Sequence, residues 1–426
     1  MEYTLEQEER TVKKILLLLV LLLLCSCSEA RKNNPSESES QPHGEALENN
    51  AEAPEQPKEG CSYIEHLYGK DVKSINCYNG TGAAILNDGS AVLWGTNVYG
   101  GIGNGEIDND IPEGKTATPV SLYRLCLDEP IKDAGSVISS YALTESGTLY
   151  TWGLNNTYEA GIEGKPVLTP TKITEINCVK QVSTSTSFTL ALKEDGTVYH
   201  AGVKMELFES AYDYDRYCLE YEQDKVFTKL PLDFKCKKID TSGMSYLFLS
   251  DNGSVYIQGI LLTDINIEKP DLVFNKPTKI DFPEKIVDAA VLTFNVVAVS
   301  ETGRVYVFGC PGLGLSDEVT DTRISELIYK KNLENIKSID GRHFVAGALS
   351  ENGELYVWGI DTKGIITKES TDLPQGRLDV ISEPVKLDYQ NIVQICIGNS
   401  NGTAVSKDGE VYIWGDNSIG QIIDFE

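Results

Sequence analysis

The feature that most constrains this chain is a twelve-residue segment that returns seven times without gaps. The copies are AILNDGSAVLWG, ALTESGTLYTWG, ALKEDGTVYHAG, FLSDNGSVYIQG, AVSETGRVYVFG, ALSENGELYVWG and AVSKDGEVYIWG. The inner glycines are Gly89, Gly147, Gly196, Gly253, Gly303, Gly353 and Gly409, spaced 58, 49, 57, 50, 50 and 56 residues apart. A second glycine closes every copy six residues later: Gly95, Gly153, Gly202, Gly259, Gly309, Gly359 and Gly415. A fixed core at variable spacing is what one supersecondary unit with loop insertions produces when it is stacked many times.

Each copy reads as a β-hairpin. Dipeptides such as Asp88-Gly89 and Asn252-Gly253 supply a turn in which glycine accepts a positive φ. Flanking positions are apolar on both faces of the strands, so each sheet must be covered on both sides, as radially packed blades are. The closing glycine either avoids crowding by aromatic side chains or adopts a positive φ; the sequence leaves both open. Six shorter apolar segments precede the hairpins: Val72–Ile75, Ile131–Ala134, Val179–Val182, Ile286–Ala289, Ile336–Ile339 and Ile392–Ile395. Further upstream come Pro119-Val120, Pro170-Thr171, Pro277-Thr278 and Pro384-Val385. Together these predict about four strands per repeat, as a propeller blade requires.

The repeats resemble those of the regulator of chromosome condensation family, with Ala-Leu-Thr, a glycine turn, Val-Tyr, Trp-Gly, then Asn and Gly-Gln-Leu-Gly. The last copy carries the pattern furthest, through Trp414, Gly415, Asn417, Gly420 and Gln421, and the first keeps Asn97, Gly100 and Gly103. The expected fold is all-β, a seven-bladed β-propeller built from regulator-of-chromosome-condensation-like repeats over residues 61–426. The third and fourth copies depart, with Ala201 and Gln258 where most copies have tryptophan. Residues Ser62 to Tyr68 are expected to supply the missing outer strand of the last blade and so close the ring. The resemblance implies protein binding across a propeller face by a monomer. It also implies, as an alternative, nucleotide exchange on a small GTPase.

The N-terminus carries an apolar run, Ile15 to Leu24, behind Arg10, Lys13 and Lys14. Ten residues cross only about half of a bilayer core, so the run reads as the heart of a signal peptide over residues 1–26. It ends in Leu24-Cys25-Ser26-Cys27, which resembles a bacterial lipobox and implies a diacylglycerol thioether on Cys27, with Cys25 as the alternative. Residues 27–60 form a Ser-, Glu-, Asn- and Pro-rich tether too polar to fold. The expected location is the cell envelope, anchored by lipid and facing away from the cytoplasm.

The chain holds 64 Asp and Glu against 37 Lys and Arg, a net charge of −27. Such a surface repels phosphate backbones and argues against a nucleic-acid partner. Eight cysteines remain beyond residue 27, and Cys218 with Cys236 could close one loop; free buried thiols are the other reading. Four histidines, none in a metal or catalytic motif, point to no cofactor, no metal site and no catalytic residue. Glu106 to Glu113 places acids at alternate positions, which could hold Ca²⁺ but completes no calcium loop. The segment from Glu206 to Asp224 carries Tyr212, Tyr214, Tyr217 and Tyr221 among acids. These tyrosines are the candidate partner-binding residues, since rings that bury one side and keep a wet tip are favoured at interfaces; packing of the same face on its own blade is the other reading. A propeller enzyme acting on glycans or other envelope substrates is the remaining alternative.

Overall fold

The structure is a computed structural model that describes residues 61–78, 81–97, 99–107, 122–136, 139–164, 166–205, 222–262, 272–309, 326–361, 364–367, 380–416 and 423. Cys27, Tyr212, Tyr214, Tyr217, Tyr221, Asp108 and Asp110 lie outside the described residues.

Seven antiparallel sheets follow one another around a ring. Their inner strands are Val72–Tyr78, Ile131–Ser136, Val179–Thr184, Cys236–Ser242, Ile286–Val291, Ile336–Arg342 and Ile392–Ile397. The second and third strands of each blade are the hairpin read from the sequence, for example Thr81–Leu86 with Ala91–Gly95 and Asn401–Ser406 with Val411–Gly415. Outer strands include Val167–Lys172, Gln223–Lys229, Leu272–Ile280 and Val380–Lys386. The outer strands tolerate Pro170, Pro277 and Pro384 because each proline falls in a register shift at the edge of its sheet. An edge position needs no ladder N–H, and the shift blunts the edge against pairing with another chain.

The inner glycine of each repeat sits at positive φ in the hairpin turn, as at Gly89 (φ 84°). The closing glycine needs both properties that sequence left open, with one change. Gly259 has φ 110°, and a Cβ there would lie 2.1 Å from the Met244 carbonyl oxygen. The neighbour to be avoided is therefore backbone, at the turn between the inner and second strands, and not an aromatic ring. The same holds at Gly202, Gly309, Gly359 and Gly415, where the nearest atom is again that carbonyl.

Side chains from facing sheets interlock between blades. Trp152, fully buried, donates from Nε1 to the Gly101 carbonyl at 2.9 Å, and Trp414 donates to the Ile365 carbonyl at 2.8 Å. Each tryptophan thus reads the loop that follows the third strand of the preceding blade. Three copies lack tryptophan: the fifth has Phe308 in its place, and the third and fourth, with Ala201 and Gln258, are repaired differently. In the third blade Phe227, from the outer strand, lies against Gly161 beside Ala201 and fills the place that Trp152 takes against Gly103. In the fourth, Gln258 Nε2 donates to the Met205 carbonyl at 3.2 Å and keeps the polar half of the tryptophan contact.

Ring closure differs from the sequence expectation. Ser62–Ile64 pairs antiparallel with Leu122–Leu125, as a fifth strand on the first blade, and not with the seventh. The reason is local complementarity. The Tyr63 ring packs edge-on to Tyr123 at 5.4 Å, its hydroxyl accepts from Asn104 Nδ2 at 2.7 Å, and the Cys126 N–H donates to Cys61 Sγ at 3.1 Å. The seventh sheet has three strands among the described residues. It meets the first blade face to face, with Val405, Val411 and Ile413 packed against Ile75, Val92, Trp94 and Ile64.

Candidate functional site

All third strands run in one sense, so their connections to the outer strands leave from the same face of the ring. On this loop face third strands end at Gly95, Val203, Leu261, Gly309 and Ile360. The opposite, turn face carries the hairpin turns. Long connections on one side of a rigid frame are where recognition residues gather.

The stem of the tyrosine insertion lies on this loop face. His200 is fully buried on the third strand of the third blade. Its Nδ1 lies 2.9 Å from Asp224 Oδ2, across the sheet on the outer strand. Its Nε2 lies 3.0 Å from the Val203 carbonyl and 2.8 Å from the Tyr246 hydroxyl of the next blade. The Tyr246 hydroxyl donates to the Val203 carbonyl at 2.9 Å and accepts from the Met205 N–H at 3.2 Å. Lys204 pairs with Glu222 at 2.6 Å and with Asp224 at 3.4 Å, and its N–H donates to the Glu222 carbonyl. Burial alone would raise the Asp224 carboxyl, but His200 and Lys204 outweigh it and hold Asp224 below its ordinary range. The chain therefore enters the insertion at Met205 and leaves it at Glu222 from two strands clamped side by side. The sequence showed His200 only as a histidine outside any metal or catalytic motif; its partners come from 24 and 46 residues away.

A second polar cluster lines the central channel. At one tier of the inner strands, Gln181 accepts from the Ile239 N–H (3.0 Å) and donates to its carbonyl (2.8 Å), and Asp288 accepts from the Ile339 N–H at 2.9 Å. At the next tier, Asp240 accepts from the Val291 N–H at 2.9 Å and Asp340 from the Ile397 N–H at 2.6 Å. Asn76 donates to Asp133 and to the Ala134 carbonyl, and Gln394 donates to the Ile75 carbonyl. Each side chain thus reaches the backbone of the following blade. Lys238 pairs with Asp288; burial would lower its ammonium, but Asp288 and Asp240 together raise it. Desolvation pushes Asp240 up to about 6 and raises Asp133 and Asp340. Arg342 spans the loop-face end of the channel, donating to the Thr184 carbonyl at 2.7 Å with its guanidinium 4.8 Å from the centre of the Tyr78 ring. Burial and Arg342 hold the neighbouring His343 neutral, lowered to about 3. These groups stitch the ring together: most of their hydrogen bonds go to the backbone of the next blade, and Asn76–Asp133 and Lys238–Asp288 add side-chain pairs.

Among the described residues no group of three His, Cys, Asp or Glu side chains could hold a metal ion. Glu106 is exposed, with Asn104 Nδ2 3.4 Å from its carboxylate. Cys236 is a free thiol, buried in the core shared by the third and fourth blades and pushed up to about 12 by burial. Cys218, which spacing suggested as its partner, lies outside the described residues. Cys236 opens its inner strand on the turn face.

The family described as Regulator of chromosome condensation (RCC1) repeat matches residues 146–192 and 392–421. The chain is 24% identical over 313 residues to Protein pim1 of Schizosaccharomyces pombe, covering 65% of this chain and 57% of pim1. It is 27% identical over 151 residues to the human Regulator of chromosome condensation, covering 34% of this chain and 35% of that protein. The matches thus span just over half of the first relative and about a third of the second. Among solved structures, Prp20p of Saccharomyces cerevisiae, described with its binding properties to Gsp1p and histones, superposes with a TM-score of 0.58 at 18% identity. That superposition covers 83% of this chain and 85% of Prp20p, and it shows a shared fold.

Proposed function

We propose that this chain, a member of the regulator of chromosome condensation repeat family, is a lipid-anchored scaffold that holds a protein partner outside the cytoplasm. The partner docks on the loop face through the insertion bearing Tyr212, Tyr214, Tyr217 and Tyr221. The observation that carries this reading is the clamped stem: Asp224, His200 and Tyr246 fix both ends of the insertion to two neighbouring blades. A recognition segment on rigid supports loses less freedom on binding than one on a loose hinge. Prp20p, of the same fold, is described as binding Gsp1p and histones, which supports a protein as the partner here.

Changing Tyr214, Tyr217 and Tyr221 together to Ala tests the docking reading. Buried aromatic anchors contribute about 2 kcal/mol or more each when truncated, so capture of the envelope partner falls at least 100-fold (about 2.7 kcal/mol) while the melting temperature stays that of the parent. A variant equally stable and equally competent in capture contradicts it. The anchor is tested separately. Cys27→Ala releases the protein from membranes or stops its processing, and normal processing with full membrane retention contradicts lipidation at Cys27.

A further inference from the structure

The junction between the seventh and first blades lacks a latch that the other junctions have. At six junctions the carbonyl of the hairpin-turn glycine accepts from the first N–H of the next inner strand, as Gly89 does from Ile131 at 2.7 Å and Gly196 from Cys236 at 2.9 Å. At the seam the corresponding glycine, Gly409, has nothing within 4 Å of the place a Cβ would take. The channel tier changes there too. Asp240 and Asp340 accept from the N–H groups of Val291 and Ile397, each on the following blade. At the seam the same position on the inner strand is Cys396, and its Sγ accepts from the Cys77 N–H at 3.1 Å. The contact is reciprocal: Cys77 Sγ donates to the Cys396 carbonyl at 3.0 Å, and Cys396 Sγ donates to the Cys77 carbonyl at 3.3 Å. Two thiols, 319 residues apart in the chain, thus face each other on adjacent inner strands.

We propose that Cys77 and Cys396 form a disulfide that staples the first blade to the last. It forms as the ring closes, by exchange with a protein or small-molecule disulfide. One thiolate attacks that disulfide and expels a thiolate. The second thiolate then attacks the mixed disulfide, giving the Cys77–Cys396 bond and returning the oxidant as two thiols. Two protons and two electrons leave the protein. The staple closes nearly the whole propeller into one loop, the case in which the chain-entropy model gives a cross-link its largest effect. Its formation in the cell rests on the extracytoplasmic location proposed above, since glutathione and thioredoxin keep cytosolic thiols reduced.

The test uses the full chain, exported through its own N-terminal segment, with free thiols alkylated at lysis and the protein digested without reduction. The expected product is a linked pair of peptides containing Cys77 and Cys396, two hydrogens lighter than the separate peptides and split by reductant. A second arm unfolds chain made in the cytoplasm and refolds it in mixed reduced and oxidised glutathione. Linkage in this arm without linkage in the exported chain supports the site and counts against the location; alkylation of both thiols in both arms overturns the proposal. Melting gives a further readout. Reductant lowers the parent's melting temperature by about 5 °C and leaves Cys396→Asp, which restores the acceptor found at Asp240 and Asp340, unchanged. Equal responses of the two proteins to reductant overturn the staple and leave Cys396 as a hydrogen-bond acceptor only.

Discussion

Replacing His200 with Phe isolates the polar work of the stem. The ring is conserved in size and keeps its neighbours Phe188 and Tyr246, so little cavity forms. The Tyr246 hydroxyl retains the Val203 carbonyl and the Met205 N–H. What is lost is one of two partners of Asp224, which keeps Lys204 at 3.4 Å and whose side chain is only 10% exposed. Leaving a buried charged acceptor short of one bond costs about 2–3 kcal/mol. A folded unit of roughly 360 residues unfolds with an entropy near 0.75 kcal/mol/K, so the melting temperature falls by about 3–4 °C at pH 7. The pH dependence has a definite sign. Asp224 is held below its ordinary value of 3.8, so its contribution is present above that value and is lost as the pH falls through the lowered one. Calorimetry of parent and variant therefore shows the full gap at pH 7 and a closing gap below about pH 4. A variant that melts with the parent at pH 7, or a gap that widens in acid, refutes the stem as described.

Glu159, 1% exposed and pushed up to about 7 from 4.5 by burial against hydrogen bonds from Thr157, costs stability when it ionises. Stability of the parent is full below pH 4.5 and declines as the pH rises through 7, so Glu159→Gln is more stable than the parent at pH 8 by on the order of 2–3 kcal/mol and equal to it below pH 4.5, as denaturant titrations at the two pH values will show. Asp288→Ala leaves the half-buried Lys238 without its partner and the Ile339 N–H without an acceptor; chemical denaturation reads a loss of about 2–3 kcal/mol, and Asp288→Asn loses less because the amide oxygen still accepts.

The hairpins were legible in the sequence because each is local: a glycine turn and a closing glycine lie within one twelve-residue window. Six inner strands were legible for the same reason. The seventh, Cys236–Ser242, was not, because Lys237 and Lys238 interrupt its apolar pattern even though Cys236 and Ile239 keep the buried positions. Closure was misassigned because Ser62–Ile64 could join either blade by pattern alone; the choice rests on Tyr123 and Asn104, about 60 and 41 residues away. Phe227 in place of a tryptophan was hidden because the substitute ring comes from a different strand of the blade. The channel acids carried no motif that would single them out. Their partners lie 51 to 57 residues on, one repeat away, and only the ring brings them together.

The most direct test of the scaffold reading is site-specific photo-cross-linking in the intact envelope. One probe replaces Tyr217 in the loop-face insertion; the other replaces Asp408 in the last hairpin turn, on the opposite face. The account predicts a discrete protein adduct from position 217 that disappears when Tyr214 and Tyr221 are also changed to Ala, and none from position 408. An adduct from position 408 alone, or one from 217 that survives loss of the flanking tyrosines, contradicts it.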